Sequence, residues 1–182
     1  MKAIAFGIGS VFLIYISRAS LSAPRSHGFY RFFAWEIILA LFLFNINFWF
    51  LNPFAWYQLI AWTLLFASLI PLAFGVGALK SRGKPTAKRE SDLSLLAFEK
   101  TTQLVTSGIY KYIRHPLYSS LLFLTWGIFF KNFSAVGIVL AITATVFLVS
   151  TAKADEAECL QFFGAEYQNY MQSTKRFVPF LF

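Results

Sequence analysis

The sequence predicts an all-α integral membrane protein, a helical bundle of about five transmembrane helices closed by a C-terminal helical hairpin. Composition is the first observation: of 182 residues, 58% are hydrophobic, 20% aromatic and 13% charged, and mean hydropathy is +0.61. Such a balance departs from that of water-soluble domains. The second is that the apolar residues fall into runs long enough to cross a bilayer, separated by short polar stretches. The third is the placement of charge. Fourteen of the sixteen Lys and Arg residues fall on one side if five spans start from an outside N-terminus, and only Lys2 and Lys131 fall on the other. This positive-inside arrangement places residues 80–116 and 153–182 in the cytosol. The net charge of +8 then answers to anionic lipid headgroups and not to nucleic acid.

In chain order, Ala3–Ser17 is the first apolar run, between Lys2 and Arg18, and reads as a retained helix and not as a cleaved leader. Residues 18–31 read as a hydrophilic connection, with Pro24 and Gly28 as breakers and His27 as a solvated loop histidine. Phe32–Phe50 is a full span carrying Glu36, a carboxylate that wants a partner or a polar cavity and is a candidate substrate contact. After a turn at Asn52-Pro53, Trp56–Leu79 gives a third span, with a kink expected at Pro71 and close helix contact at Gly75 and Gly77. Lys80–Lys100 is a basic loop with a short interfacial helix expected over Asp92–Lys100. Leu117–Phe130 and Phe133–Ala152, joined at Lys131-Asn132, form the hairpin, and Lys153–Tyr170 has the charge alternation of an amphipathic helix. These elements divide into an N-terminal three-helix region, 1–79, and a C-terminal region, 80–182, with the loop, the hairpin and the amphipathic helix. The single cysteine, Cys159, reads as a packing residue, and no Cys/His set has metal-ligand spacing.

The chemistry-bearing stretch is Thr102–Tyr118, TQLVTSGIYKYIRHPLY. Arg114-His115-Pro116-Leu117-Tyr118 sets a cation, an imidazole and a phenol at the start of a helix whose first N–H groups suit an anion. The plain alternative is a basic loop that anchors a helix to headgroups. The topology brings Arg114-His115 and the Asp155-Glu156 pair to the same ends of neighbouring helices, so the two polar clusters can close on one site.

GIYKYIRHPLY, a short helix, a hairpin, an acidic pair, FFGAEYQNY and a terminal RFVP together resemble the C-terminal half of the isoprenylcysteine carboxyl methyltransferase and phospholipid N-methyltransferase superfamily. The resemblance implies methyl transfer from S-adenosylmethionine (AdoMet) at the cytosolic face of an inner or endoplasmic-reticulum-type membrane. It implies cofactor binding by Thr102, Gln103, Leu104, Val105, Tyr110, His115, Pro116, Leu117, Tyr118, and Asp155 or Glu156. Arg114, His115, Tyr118 and Glu156 are the candidate catalytic residues, and Glu36, Thr151 and Lys153 the candidate substrate contacts. Two positions depart from the pattern: Thr151 stands where the prenylcysteine enzymes place a substrate-binding arginine, and Thr102 where the family has a histidine. A prenylated cysteine, an isoprenoid acid, a phospholipid amine and a small thiol all remain as acceptors. A non-catalytic lipid-binding protein of this fold and an NADPH-dependent membrane reductase are the alternative functions.

Overall fold

A computed structural model describes residues 1–84 and 99–179. Its helices are α1 (Lys2–Leu21), α2 (His27–Asn45), α3 (Trp56–Arg82), α4 (Pro116–Phe129), α5 (Ala135–Phe163) and α6 (Ala165–Ser173), with 3₁₀ turns at Ile46–Phe48 and Gly108–Lys111. Four of them, α1, α2, α3 and α5, are long and apolar enough to cross a membrane, and α4 is a shorter apolar helix. The all-α membrane bundle read from the sequence is therefore what the chain forms. The helix expected over 92–100 lies mostly outside the described residues, and Glu99 sits in a turn.

Several boundaries differ from the reading by hydropathy, each for a local reason. The first helix continues past Ser17 to Leu21, with Arg18 in its last turn, where a cation complements the helix dipole. The polar connection is short, because Ser26 caps α2 by accepting the Phe29 N–H at 3.2 Å. His27 and Arg31 are thus helical and buried, at 0% and 4% exposure, and not part of a solvated loop. Helix α3 continues through Pro71 to Arg82, across the expected division at residue 79. The hairpin forms as expected, but its second helix does not stop at Ala152. Nothing between there and Gly164 breaks it, so α5 carries the charged segment on one continuous rod, and Gly164, at φ +59°, makes the turn into α6.

Helix α2 packs along α5 and α3 along α4, while α1 lies on the outer side of α2. A central core joins Ile38 and Leu41 of α2 to Ile128 and Phe129 of α4 and Ala141 and Ala144 of α5. Glycines permit the closest approach: a Cβ at Gly127 would lie 2.9 Å from Leu65 Cγ, and one at Gly75 3.1 Å from Pro116 Cγ. Large apolar side chains such as Ile8, Phe12, Phe66 and Val139 remain exposed, as befits a surface that meets lipid.

The end of the bundle at the α4–α5 turn is sealed by polar contacts. Lys131 is 1% exposed, donates to Gln58 Oε1 at 2.9 Å and to the Trp49 carbonyl at 3.3 Å, and lies 3.4 Å from the Trp62 ring centroid. Asn45 Nδ2 donates to the Ile128 carbonyl at 2.8 Å.

Candidate active site

At the opposite end of the bundle, three segments converge. Residues 101–105 are pinned beside the end of α3, where the Gly83 carbonyl accepts the N–H groups of Thr102 and Gln103 at 3.0 and 3.3 Å. A side chain at Gly83 would collide with Thr101, since its Cβ would come within 2.3 Å of Thr101 Cγ2. Helix α4 begins at Pro116, held against Gly75 of α3. The C-terminal strap folds back beside residues 112–115: Arg114 N–H donates to the Lys175 carbonyl at 2.8 Å and His115 N–H to the Arg176 carbonyl at 3.1 Å. Ser119 Oγ donates to the Phe177 carbonyl at 2.8 Å, and Phe177 packs on Tyr118 and Ala152.

These segments surround a half-open cavity of about 100 Å³. One part of its wall is charged, from Arg114, His115, Asp155 and Glu99, and another is aromatic and apolar, from Leu104, Val105, Tyr110, Phe163, Tyr167 and Tyr170. Pro116, Leu117 and Tyr118 complete it beside α4.

The charged wall is ordered by His115. Its Nδ1 lies 3.4 Å from Asp155 Oδ2, its Nε2 lies 3.3 Å from Glu156 Oε1, and its ring stacks on Tyr118 at 5.3 Å. Burial pulls the His115 pKa down, but the hydrogen bonds and charges of Asp155 and Glu156 outweigh it and hold the pKa above its ordinary value. Tyr118 donates to Asp155 Oδ2 at 3.2 Å. Burial pushes the phenols of Tyr110, Tyr167 and Tyr170 upward, which keeps them neutral donors, and Tyr170 donates to the Tyr110 carbonyl at 2.6 Å.

Glu156 does not line the cavity. It accepts from Arg114 Nε and Nη2 at 3.0 and 2.9 Å and from Arg176 Nε and Nη2 at 3.0 and 2.7 Å. Arg114 Nη1 donates to the carbonyls of Met171 and Thr174. Its guanidinium is thus engaged on both sides by protein. Arg114 stands on the cavity wall with its guanidinium braced by Glu156 and the strap, while Glu156 lies behind the wall against His115.

Of the other expected site residues, Leu104, Val105, Tyr110, His115, Pro116, Leu117, Tyr118 and Asp155 meet on the cavity. Thr102 and Gln103 are exposed, and Thr102 Oγ1 donates to the Lys84 carbonyl at 3.1 Å. Buried Thr101 takes the lining position one residue earlier, because the two N–H groups on Gly83 set the register. Glu36 lies at the middle of α2 and accepts from Ser10 of α1 at 2.7 Å, away from the cavity lining. Thr151 is buried with its hydroxyl on the Phe147 carbonyl, and Lys153 is exposed. Cys159, read as packing, lines the cavity, its thiol 3.7 Å from Asp155 Oδ1. Phe163, Tyr167 and Tyr170, which flank the Gly164 turn, line the cavity as well; the sequence reading took them only as part of an amphipathic segment.

A second, apolar cavity of about 600 Å³ opens along the bundle between α1, α2, α3 and α4. Leu121, Leu124 and Ile128 of α4 line it, on the same helical stripe as Leu117 of the first cavity. Trp35 lines it too, under the Arg31 guanidinium 5.0 Å from its ring, and Arg31 Nη1 bonds both oxygens of Glu99 in the first cavity's wall at 2.9 and 2.8 Å. Arg31 thus stands between a residue of each cavity's wall.

Residues 91–169 match the phospholipid methyltransferase family. Over 76 residues, 42% of the chain, it is 28% identical to the methanethiol S-methyltransferase of Pseudomonas deceptionensis. Over 82 residues, 44% of the chain, it is 32% identical to the protein-S-isoprenylcysteine O-methyltransferase of Mus musculus. The matched segments span 28% and 29% of those two relatives. No solved structure gives a significant match.

Proposed function

Because the chain belongs to the superfamily of phospholipid and isoprenylcysteine methyltransferases, we propose that it transfers a methyl group from AdoMet to a lipophilic or small acceptor at the cytosolic face of its membrane. The observation that carries this reading is a cavity, charged on one wall and aromatic on another, with an apolar groove farther along α4. AdoMet would supply an electrophilic methyl on a sulfonium. Its zwitterion and ribose call for charged and polar partners, its adenine for an aromatic slot and its sulfonium for electron-rich walls, and the lining offers all three.

In this reading Asp155, Tyr118 and His115 bind the polar parts of the cofactor, and Leu104, Val105, Tyr110 and Tyr167 form the slot. Arg114, Glu156 and Arg176 keep His115 in place. Displacement at a methyl group asks for little besides alignment, so a fixed imidazole and a walled cavity contribute through positioning, with reacting atoms held about 3–3.5 Å apart. An acceptor chain would lie in the groove and present its nucleophile where Leu117, Trp35 and the Arg31–Glu99 pair meet. The methanethiol and isoprenylcysteine relatives make a thiol and a prenylated carboxylate the two acceptor types to compare. Thr151, with its hydroxyl turned onto its own helix, offers no cation to a carboxylate.

The test is calorimetry of the purified protein in lipid nanodiscs with AdoMet and with NADPH, followed by incubation with methyl-labelled AdoMet and a membrane lipid extract. AdoMet binding and a labelled product are expected. Binding of NADPH instead, or of neither cofactor, overturns the reading.

A further inference from the structure

Two carboxylates line the cavity, Asp155 and Glu99. Asp155 stands in the polar cluster with His115 and Tyr118. Glu99 comes from the turn that leads into residues 101–105, and the scheme above gives it a place but no chemical role. It is fixed from α2. Arg31 Nη1 donates to both of its oxygens at 2.9 and 2.8 Å, and the two side chains are nearly enclosed, at 5% exposure for Arg31 and 11% for Glu99. Glu99 belongs to the cavity lining and Arg31 does not, so a ligand there meets the carboxylate and not the guanidinium. The Glu99 charge also reaches Tyr110 and Tyr118, two further residues of that lining.

A carboxylate already bonded to a guanidinium suits some cations better than others. An ammonium brings three N–H donors and competes with Arg31 for the same oxygen lone pairs. A sulfonium brings no N–H or O–H and is attracted by charge alone, so Glu99 need not leave Arg31 to hold it. Placement points the same way. The helix start at residues 115–117 and Asp155 suit the zwitterion of AdoMet, and the wall of Leu104, Val105, Tyr110 and Tyr167 suits its adenine. Glu99 occupies the side reached through Arg31, whose guanidinium lies 5.0 Å from the ring of the groove residue Trp35. A methyl group offered to an acceptor from the groove would face that side, with its sulfur close behind.

We infer that Glu99 is a specificity-determining residue of the cofactor cavity, its carboxylate set against the sulfonium, so that the site distinguishes AdoMet from its uncharged product S-adenosylhomocysteine (AdoHcy). The inference rests on the methyltransferase reading and deepens it. When the methyl carbon bonds the acceptor, the S–C bond breaks, its electron pair stays on sulfur and the sulfonium becomes a neutral thioether. The attraction to Glu99 ends with the reaction, which favours exchange of spent cofactor for fresh. An uncharged side chain of the same shape would keep the packing of the turn and lose this preference.

The experiment is calorimetry of the purified parent and Glu99→Gln in lipid nanodiscs, without acceptor, using three probes: AdoMet, AdoHcy and sinefungin, which carries a cationic amine-bearing carbon where AdoMet has its sulfonium. Glu99→Gln should bind AdoMet and sinefungin roughly tenfold more weakly and AdoHcy within about twofold of the parent. The AdoHcy arm reports on the integrity of the cavity, because a variant that merely loosened the turn would lose all three alike. Glu99→Asp, which keeps the charge on a shorter stem, should retain part of the preference, and it carries the same comparison if Glu99→Gln fails to fold. Equal losses for the three probes, or undiminished binding of the two cationic ones, overturn the assignment of Glu99 alone. A parent that binds none of the three overturns the methyltransferase reading, and this inference falls with it.

Discussion

Glu156 is 5% exposed and takes four guanidinium N–H contacts from two arginines. Removing one partner from such a buried set leaves the others uncompensated, so Glu156→Ala should cost about 3–5 kcal/mol of stability and abolish AdoMet binding with it, seen as a lowered melting temperature with and without cofactor. Arg114→Lys should also impair both, because a point charge cannot replace a planar fork that bonds a carboxylate on one edge and two carbonyls on the other. His115 gives a pH test. Its pKa is raised in the folded state, from an ordinary value of 6.5, so its contribution is complete below that value and is lost as pH rises through the raised pKa. Melting temperatures taken upward from pH 6 should fall over that window, and His115→Gln should flatten the curve. At this scale the sequence showed which residue types gather but not their partners. His115 and Asp155 were legible from chemistry and order, yet Glu156 differs from Asp155 only in which side of α5 it occupies. The burial of His27 depends on a cap at Ser26 and a glutamate 131 residues later, neither of which hydropathy reports.

Among elements, the strap at 174–177 and the small residues of α3 do the positioning. The strap binds through backbone pairing, Arg176 and Phe177, and deleting residues 175–182 should remove AdoMet binding while leaving the membrane helices inserted, as checked by calorimetry and by detergent-resistant helicity. Gly75→Val should push Pro116 and Leu117 away from α3, an overpacking of about 1–3 kcal/mol that weakens cofactor binding more than it unfolds the protein. The helices themselves were visible as apolar runs, and the hairpin as two runs around Lys131-Asn132. Their ends were less visible, since hydropathy marks where a chain leaves lipid, whereas capping and glycine mark where a helix stops. Glu36 illustrates the difference in scale: its carboxylate ties α2 to Ser10 of α1, a contact within the bundle typically worth about 0.6 kcal/mol.

For the whole molecule, the distribution of bases gives an orientation that labelling can test. Cysteines placed at Ser22 and Ser173 in a cysteine-free background should react from the cytosolic side, and one at Asn132 from the other. Matching accessibility for Ser173 and Asn132 would defeat the arrangement. The class of the molecule was legible from composition and spacing, because a bilayer imposes length and polarity on any chain that crosses it. The cavities were not, since they arise from how the helices lean on one another.

Helix α5 has 29 residues, about 43 Å at 1.5 Å per residue, against roughly 30 Å of hydrocarbon. Some 13 Å of it must therefore stand clear of the acyl region, and that overhang carries Asp155, Glu156 and Glu158. The reacting atoms would then ride at headgroup altitude while the groove stays sunk among the tails. Bilayer thickness would then become a control on the proposed transfer: a thicker membrane would drown the charged end of the rod, and a thinner one would lift the groove's mouth clear of the lipid.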